Sequence, residues 1–125
     1  MNKPITIAVD AMGGENSPNK TIEGISLHSK SSSEIFYNIY GNKNIIDPLI
    51  SKFKIPSDRF KIFHTENKIE DTDTALGAAK KGKDTSLWLA IESLKENQSD
   101  CVVSAGNTGA LFVIAKLNLQ MIPNI

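Results

Sequence analysis

Short runs of β-branched and aromatic residues alternate with stretches of helical spacing along the whole of this 125-residue chain, and that alternation constrains its fold more than any other feature. Strand, crossover helix and next strand, repeated, build an open, mostly parallel sheet with helices on both faces. Four such units fit. Ile5 to Asp10 predicts a first strand, apolar on nearly every residue as burial of both faces requires, and stopping at Gly13-Gly14. Ser17-Pro18 reads as a helix start, serine as cap and proline in the first turn, leading through Ile22, Ile25 and His28. The serines 31–33 break that pattern before a second strand, Ile35 to Tyr40, which ends at Gly41-Asn42. Ile45, Ile46, Leu49, Ile50 and Phe53 then recur at helical spacing, so Pro48 is expected in the first turn of that helix or as the residue that shortens it.

Phe60, Ile62 and His64 alternate with Lys61 and Phe63 and predict a third strand, followed by a long acidic connection through Glu66, Glu70, Asp71 and Asp73. Asp84 or Thr85 can cap a helix with the stripe Leu87, Trp88, Ile91 and Leu94, and Asn97 suits its left-handed exit. Asp100 to Ser104 reads as a short fourth strand, turned by Gly106 to Gly109 into a last helix that is apolar almost all round. Such a helix is expected to be buried, with a partner supplying cover that four strand-helix units lack. A doubly wound fold would continue past Met121 to Ile125, so one α/β domain, interrupted after this helix, is the expectation.

Hydrophobic residues make up 40% and charged residues 22%, enough for an ordinary globular interior. Fourteen basic residues balance fourteen acidic ones, so no global field draws the chain to nucleic acid, and any anion site must be local. Arg59 is the single arginine, which leaves anion recognition to main-chain amides and lysines. Cys101 is the single cysteine; it allows no internal disulfide, reads as a small buried residue, and points to the reducing cytoplasm. The N-terminus carries no secretory pattern, and the longest apolar stretch is too short to span a bilayer. Two histidines, one cysteine and carboxylates without ligand spacing give no metal site, and no cofactor is called for.

Three segments could carry chemistry. The turn Ser104-Ala105-Gly106-Asn107-Thr108-Gly109-Ala110 joins an apolar strand to an apolar helix, whose first amides lack intrahelical acceptors and can hold phosphate or a developing oxyanion. A plain N-cap turn is the other reading. Asp10, Gly13 and Gly14 stand at the carboxyl end of the first strand, the edge at which open α/β sheets gather ligands; Asp10 as a loop cap is the alternative. Lys80, Lys81 and Lys83 precede Ser86 at a helix start and either favour an anion or form a solvated face. His64 falls at a strand end, where it can bind a ligand or transfer a proton. His28 has no partner at ligand spacing.

The segments Ile7-Ala8-Val9-Asp10-Ala11-Met12-Gly13-Gly14 and Val103-Ser104-Ala105-Gly106-Asn107-Thr108-Gly109-Ala110, in this order, resemble the bacterial PlsX family of phosphate acyltransferases. The resemblance runs from Ile5 to about Met121 and covers only the N-terminal part of that family. It implies a Rossmann-like α/β fold, similar to isopropylmalate dehydrogenases and phosphotransacetylases. It further implies transfer of a fatty acyl group from acyl carrier protein to inorganic phosphate, a homodimer, and peripheral membrane association. Glu15 stands where the family usually has Asp, Ser17 where Ala is common, and lysines with Gly82 replace an arginine-bearing basic stretch.

Phosphate near neutral pH is already a nucleophile, so the protein must hold it beside a thioester and stabilise charge, with no covalent enzyme nucleophile needed. On this reading Gly13, Gly14, Ser86, Ser104, Gly106, Asn107, Thr108 and Gly109 line the phosphate or acyl-phosphate pocket. Lys81 and Lys83 neutralise charge, Asp10 orders the site, and His64 positions a group or moves a proton. A non-catalytic remnant binding phosphate or acyl carrier protein is the reading from another class, and a phosphotransacetylase-like enzyme acting on a coenzyme A thioester is a third.

Overall fold

In the computed structural model, which describes residues 4–120 and 122–123, four strands form: β1 (Ile5–Asp10), β2 (Ile35–Gly41), β3 (Phe60–His64) and β4 (Cys101–Ser104). The chain end read above as an interrupted fold lies partly outside the described residues, since Met121, Asn124 and Ile125 are not among them. All four strands pair in parallel in the order β3-β2-β1-β4. This is the α/β architecture that the strand-helix alternation predicts.

Four α-helices lie between them, α1 (Asn19–Ser31), α2 (Lys43–Lys52), α3 (Ala75–Lys80) and α4 (Ser86–Lys95), and α5 (Thr108–Asn118) follows β4. Because side chains alternate across a strand, β1 and β2 present two different surfaces. Val9, Tyr37 and Ile39 pack with Ile22 and Ile25 of α1 and Ile46 and Ile50 of α2. Ala8 and Tyr40 face the other way, onto Ala90 of α4. A further layer lies outside α4, where Leu87, Trp88 and Ile91 meet Ala110 and Ile114 of α5 and Ala78 of α3.

The caps follow the residue chemistry. Thr85 accepts from the Trp88 N–H, Asn42 from Asn44 and Asn107 from Ala110. Asn97 leaves α4 with φ 58°, as its residue type suggests. Arg59 is tied to main chain, its guanidinium donating to the carbonyls of Ile35, Ser29 and Ser32, so it is a staple between α1 and β2 and not an anion receptor.

Several expectations are corrected. Ser17 does not cap α1: Pro18 holds the cap position without a side-chain bond, and the Ser17 hydroxyl donates to the Gly13 carbonyl at 2.6 Å. Pro48 lies inside α2 and neither starts nor shortens it, because it is exposed while Ile46 and Ile50 on the buried side hold the helix down. The long connection after β3 contains α3, capped by Thr74 on the Gly77 N–H. The fourth strand begins at Cys101; Asp100 instead grips the Thr6 N–H with its carboxylate at 2.8 Å. Cys101 is exposed, because one face of β4 has no helix over it. The last helix is not buried all round: α5 buries Ala110 and Ile114 but leaves Phe112 and Leu117 exposed, 59% and 62%. Among the described residues, no helix is long and apolar enough to cross a membrane.

Candidate functional site

The chain winds from β1 outward through β2 to β3, then crosses the sheet and returns as β4 on the opposite side of β1. The reversal makes the carboxyl ends of β1 and β4 the topological switch point, where the flanking loops leave in opposite directions and open a crevice. Both glycine-bearing turns sit there.

Asp10 joins them. It is 3% exposed, and its two oxygens accept from three donors: the Ser86 hydroxyl at 2.6 Å, the Ser104 hydroxyl at 2.9 Å and the Met12 N–H at 3.2 Å. Ser86 opens α4 and Ser104 closes β4, so one carboxylate fastens segments 76 and 94 residues away in sequence. Ser104 also accepts from the Gly106 N–H at 3.1 Å. The hydroxyl protons of both serines are thus directed at Asp10, and what these residues supply is the shape of the crevice.

The two turns touch closely enough to exclude side chains. A Cβ on Gly13 would stand 2.5 Å from Asp10 Oδ2 and 3.1 Å from the Gly106 Cα, and a Cβ on Gly106 would stand 3.1 Å from the Gly13 Cα. Gly14 adopts φ 97°, and a Cβ there would lie 2.8 Å from the Ala105 carbonyl oxygen. Among the described residues, the N–H groups of Gly13, Gly14, Asn107, Thr108 and Gly109 have no protein acceptor. Among the described residues no neighbouring carbonyl accepts from the first amides of α5, and unpaired amides at a helix start and in a glycine turn suit an anion.

The polar side chains around the turn are more committed than their types suggest. Asn107 caps α5 with its oxygen, and its amide nitrogen donates to the carbonyls of Asp73, at 2.7 Å, and Glu70, at 3.2 Å. Its contribution to a ligand is therefore its main-chain N–H. Thr108 and Gly109 are exposed at the same turn. Lys81 reaches this neighbourhood through Asp73, whose carboxylate it meets at 2.6 Å. That ammonium and the Glu70 N–H hold the Asp73 carboxyl below its ordinary pKa. Lys83 is exposed, with no ion pair among the described residues. The carbonyls of Glu70 and Asp73 as anchors for Asn107 escape the sequence reading. Their signal is the Thr74 cap before an alanine-rich run, which brings the acidic loop back to the crevice.

His64 ends β3, two strands from β1, or roughly 10 Å at ordinary strand spacing. Its Nδ1 accepts the Lys43 N–H at 3.0 Å, which caps α2. It lines a separate cavity of about 370 Å³ with Tyr40, Phe63, Glu92 and Glu96. Burial pushes the Tyr40 phenol above its ordinary pKa; the Ser93 and Ser99 hydroxyls hold the rise back without completing a hydrogen bond to it. On the opposite face His28 Nδ1 lies 2.6 Å from the Tyr37 hydroxyl, whose pKa burial also raises against the opposing charge of Arg59. Among the described residues no group of three or more His, Cys, Asp or Glu could hold a metal ion.

The family model described as fatty acid synthesis protein matches residues 5–125. A phosphate acyltransferase of Pelagibacter ubique is 56% identical over 125 residues, covering 100% of this chain and 37% of the relative. Proteins of the same name from Paramagnetospirillum magneticum and Parvibaculum lavamentivorans are 33% and 37% identical, again over 100% of this chain and over 36% and 35% of their own lengths. The chain spans just over a third of the length of these curated relatives.

Proposed function

The chain belongs to the fatty acid synthesis protein family, and from that premise we propose that the crevice between β1 and β4 holds inorganic phosphate as acceptor of a fatty acyl group. The donor is the thioester of acyl carrier protein, and the product is an acyl phosphate. One observation carries this reading: two glycine turns meet at the switch point with unpaired main-chain donors, held in register by the buried Asp10.

The chemistry asks little more. A phosphate oxygen attacks the thioester carbonyl carbon, the carbonyl π electrons move onto oxygen, and the C–S bond breaks as they return, releasing the carrier thiolate, which takes a proton from water. Amides of residues 107–109 can bind the phosphate, with those of Gly13 and Gly14 available to the same anion. Their strength lies in preorganisation, since Asp10 fixes the turns before any ligand arrives. Asp10 is a positioning residue here. Ser86 and Ser104 act through it, and Lys81 contributes field attenuated by Asp73. We give no step to His64 because of its distance, or to Lys83 because no contact fixes it.

The pairing of Lys81 with Asp73 favours a second reading, in which the crevice binds phosphate or the carrier protein without turnover. One assay separates the two. Incubation with acyl-carrier-protein thioester and phosphate, followed by hydroxylamine, is expected to trap acyl hydroxamate above an enzyme-free control. Phosphate binding without hydroxamate leaves the second reading, and absence of both removes the crevice as an anion site.

A further inference from the structure

The segment that anchors Asn107 carries charges of its own. Glu70 and Asp73, whose carbonyls accept from the Asn107 amide, each meet a lysine: Lys68 lies 4.0 Å from the Glu70 carboxylate and Lys81 2.6 Å from that of Asp73. The two pairs are held differently. Lys68 and Glu70 are exposed and at the limit of ion-pair range, a contact that contributes little. The Asp73 side chain is only 21% exposed, its carboxylate accepts the Glu70 N–H at 2.8 Å as well as the Lys81 ammonium, and its carbonyl is fixed by Asn107. Lys81 stands at the C-cap of α3, its N–H donating to the Gly77 and Ala78 carbonyls, and α3 packs against α5. One carboxylate and one ammonium are thus built in beside the unpaired amides of residues 107–109.

We propose that Asp73 is a positioning residue that sets the charge specificity of the crevice: by occupying Lys81 it keeps the local net charge low, so that inorganic phosphate is accepted and more highly charged anions such as pyrophosphate are turned away. The proposal rests on the reading of the crevice as a phosphate site. Asp73 acts through Lys81 and is assigned no contact with the ligand. The other charge at the crevice points the same way. Asp10 is held by two hydroxyls and one N–H, with no cation in ion-pair range among the described residues, so it adds negative charge only. With Lys81 neutralised, attraction for an anion comes from neutral amides. These reward the fit of a single phosphoryl group, whereas the Coulomb cost of a site without net positive charge rises with every charge the ligand adds. The Asp73 carboxylate keeps the Glu70 N–H as a partner when Lys81 is removed, so the charge at this point can be altered with its main-chain anchor retained.

Calorimetric titration with phosphate and with pyrophosphate, free of divalent cations, tests the idea. The wild type is expected to bind phosphate the more tightly. Asp73→Asn keeps an oxygen for the Glu70 N–H and releases Lys81, and is expected to raise the pyrophosphate-to-phosphate affinity ratio about threefold, the order of one further charge interaction in a largely aqueous setting. Lys81→Met leaves Asp73 unopposed and is expected to lower the ratio by a similar factor. The double variant restores the net charge and should return the ratio to the wild-type value, and added salt should draw all four ratios together. Circular dichroism and thermal melting verify that each variant is folded. Tighter binding of pyrophosphate by the wild type, or a ratio unmoved in folded Asp73→Asn, overturns the proposal. So does a double variant further from wild type than either single one, since damage to the segment accumulates whereas opposite charges cancel. The two readings fail separately: phosphate binding with an unmoved ratio leaves the crevice standing, whereas no phosphate binding by either wild type or Asp73→Asn removes the crevice and the role of Asp73 with it.

Discussion

β1 has two neighbours and is built differently toward each. Toward β2 it is paired along its whole length, from Ile5↔Ile35 to Asp10↔Tyr40, and its side chains lie in an aliphatic core that includes the fully buried Ile22, Ile39 and Ile46. Toward β4 the register is shorter, Ile7↔Cys101 to Asp10↔Ser104, one face is bare at Val103, and the strand ends run into turns with free amides. One flank carries stability through apolar burial; the other carries donors that folding leaves unsatisfied. A strand shared by both lets a stiff half hold in place the half that carries free donors.

Substitutions should therefore separate the flanks. The largest loss of stability is expected from Ile39→Ala, a cavity in the β2 flank that costs about 2–5 kcal/mol in urea unfolding, with phosphate affinity of the folded protein unchanged. A comparable loss of affinity would show that the flanks are not separable. Asp10→Asn reverses the pattern: the amide presents an NH₂ where a hydroxyl or N–H expects an acceptor, costing about 1.5–3 kcal/mol. Phosphate binding is expected to weaken at least tenfold, which calorimetry would detect.

A smaller effect is confined to acid. Lys81 and the Glu70 N–H hold Asp73 below its ordinary pKa, so the folded chain binds that proton more weakly than the unfolded chain. The resulting stabilisation is full above the unfolded carboxylate value, about 3.9, and is lost as pH falls through the lower folded value. Urea midpoints of wild type and Asp73→Asn should differ near neutrality and converge toward pH 2. Smallest is Lys54→Gly: Lys54 follows α2 with φ 57°, and glycine there should gain about 0.5–1 kcal/mol, read as a higher thermal midpoint.

How much of this could be read from residues alone also divides along β1. β1 is legible because a buried parallel strand is apolar nearly in a row, β3 because Phe60, Ile62 and His64 alternate with Lys61 and Phe63, and the cap at Thr85 and the left-handed exit at Asn97 because both depend on local residue type. The turns at Gly13-Gly14 and Gly106-Gly109 were legible as punctuation. What brings them together was not, since the bonds from Ser86 and Ser104 to Asp10 depend on packing between distant segments. The same holds for Arg59, whose fork looks equally fit for a phosphate or three carbonyls. α3 was missed although Thr74 and four alanine or leucine positions signalled it, because an acidic, threonine-rich approach reads as loop. Hydrophobicity could not reveal that Phe112 and Leu117 of α5 face outward, since type does not specify direction.

The Asp10 fastening has a consequence for order of assembly. During synthesis Asp10 leaves the ribosome long before Ser86 and longer still before Ser104, and until then its carboxylate stays hydrated at no cost. The β1–β2–β3 half can condense first, around its own aliphatic centre, while the anion crevice has yet to exist. In a nascent chain the two glycine turns therefore come together only once β4 has docked.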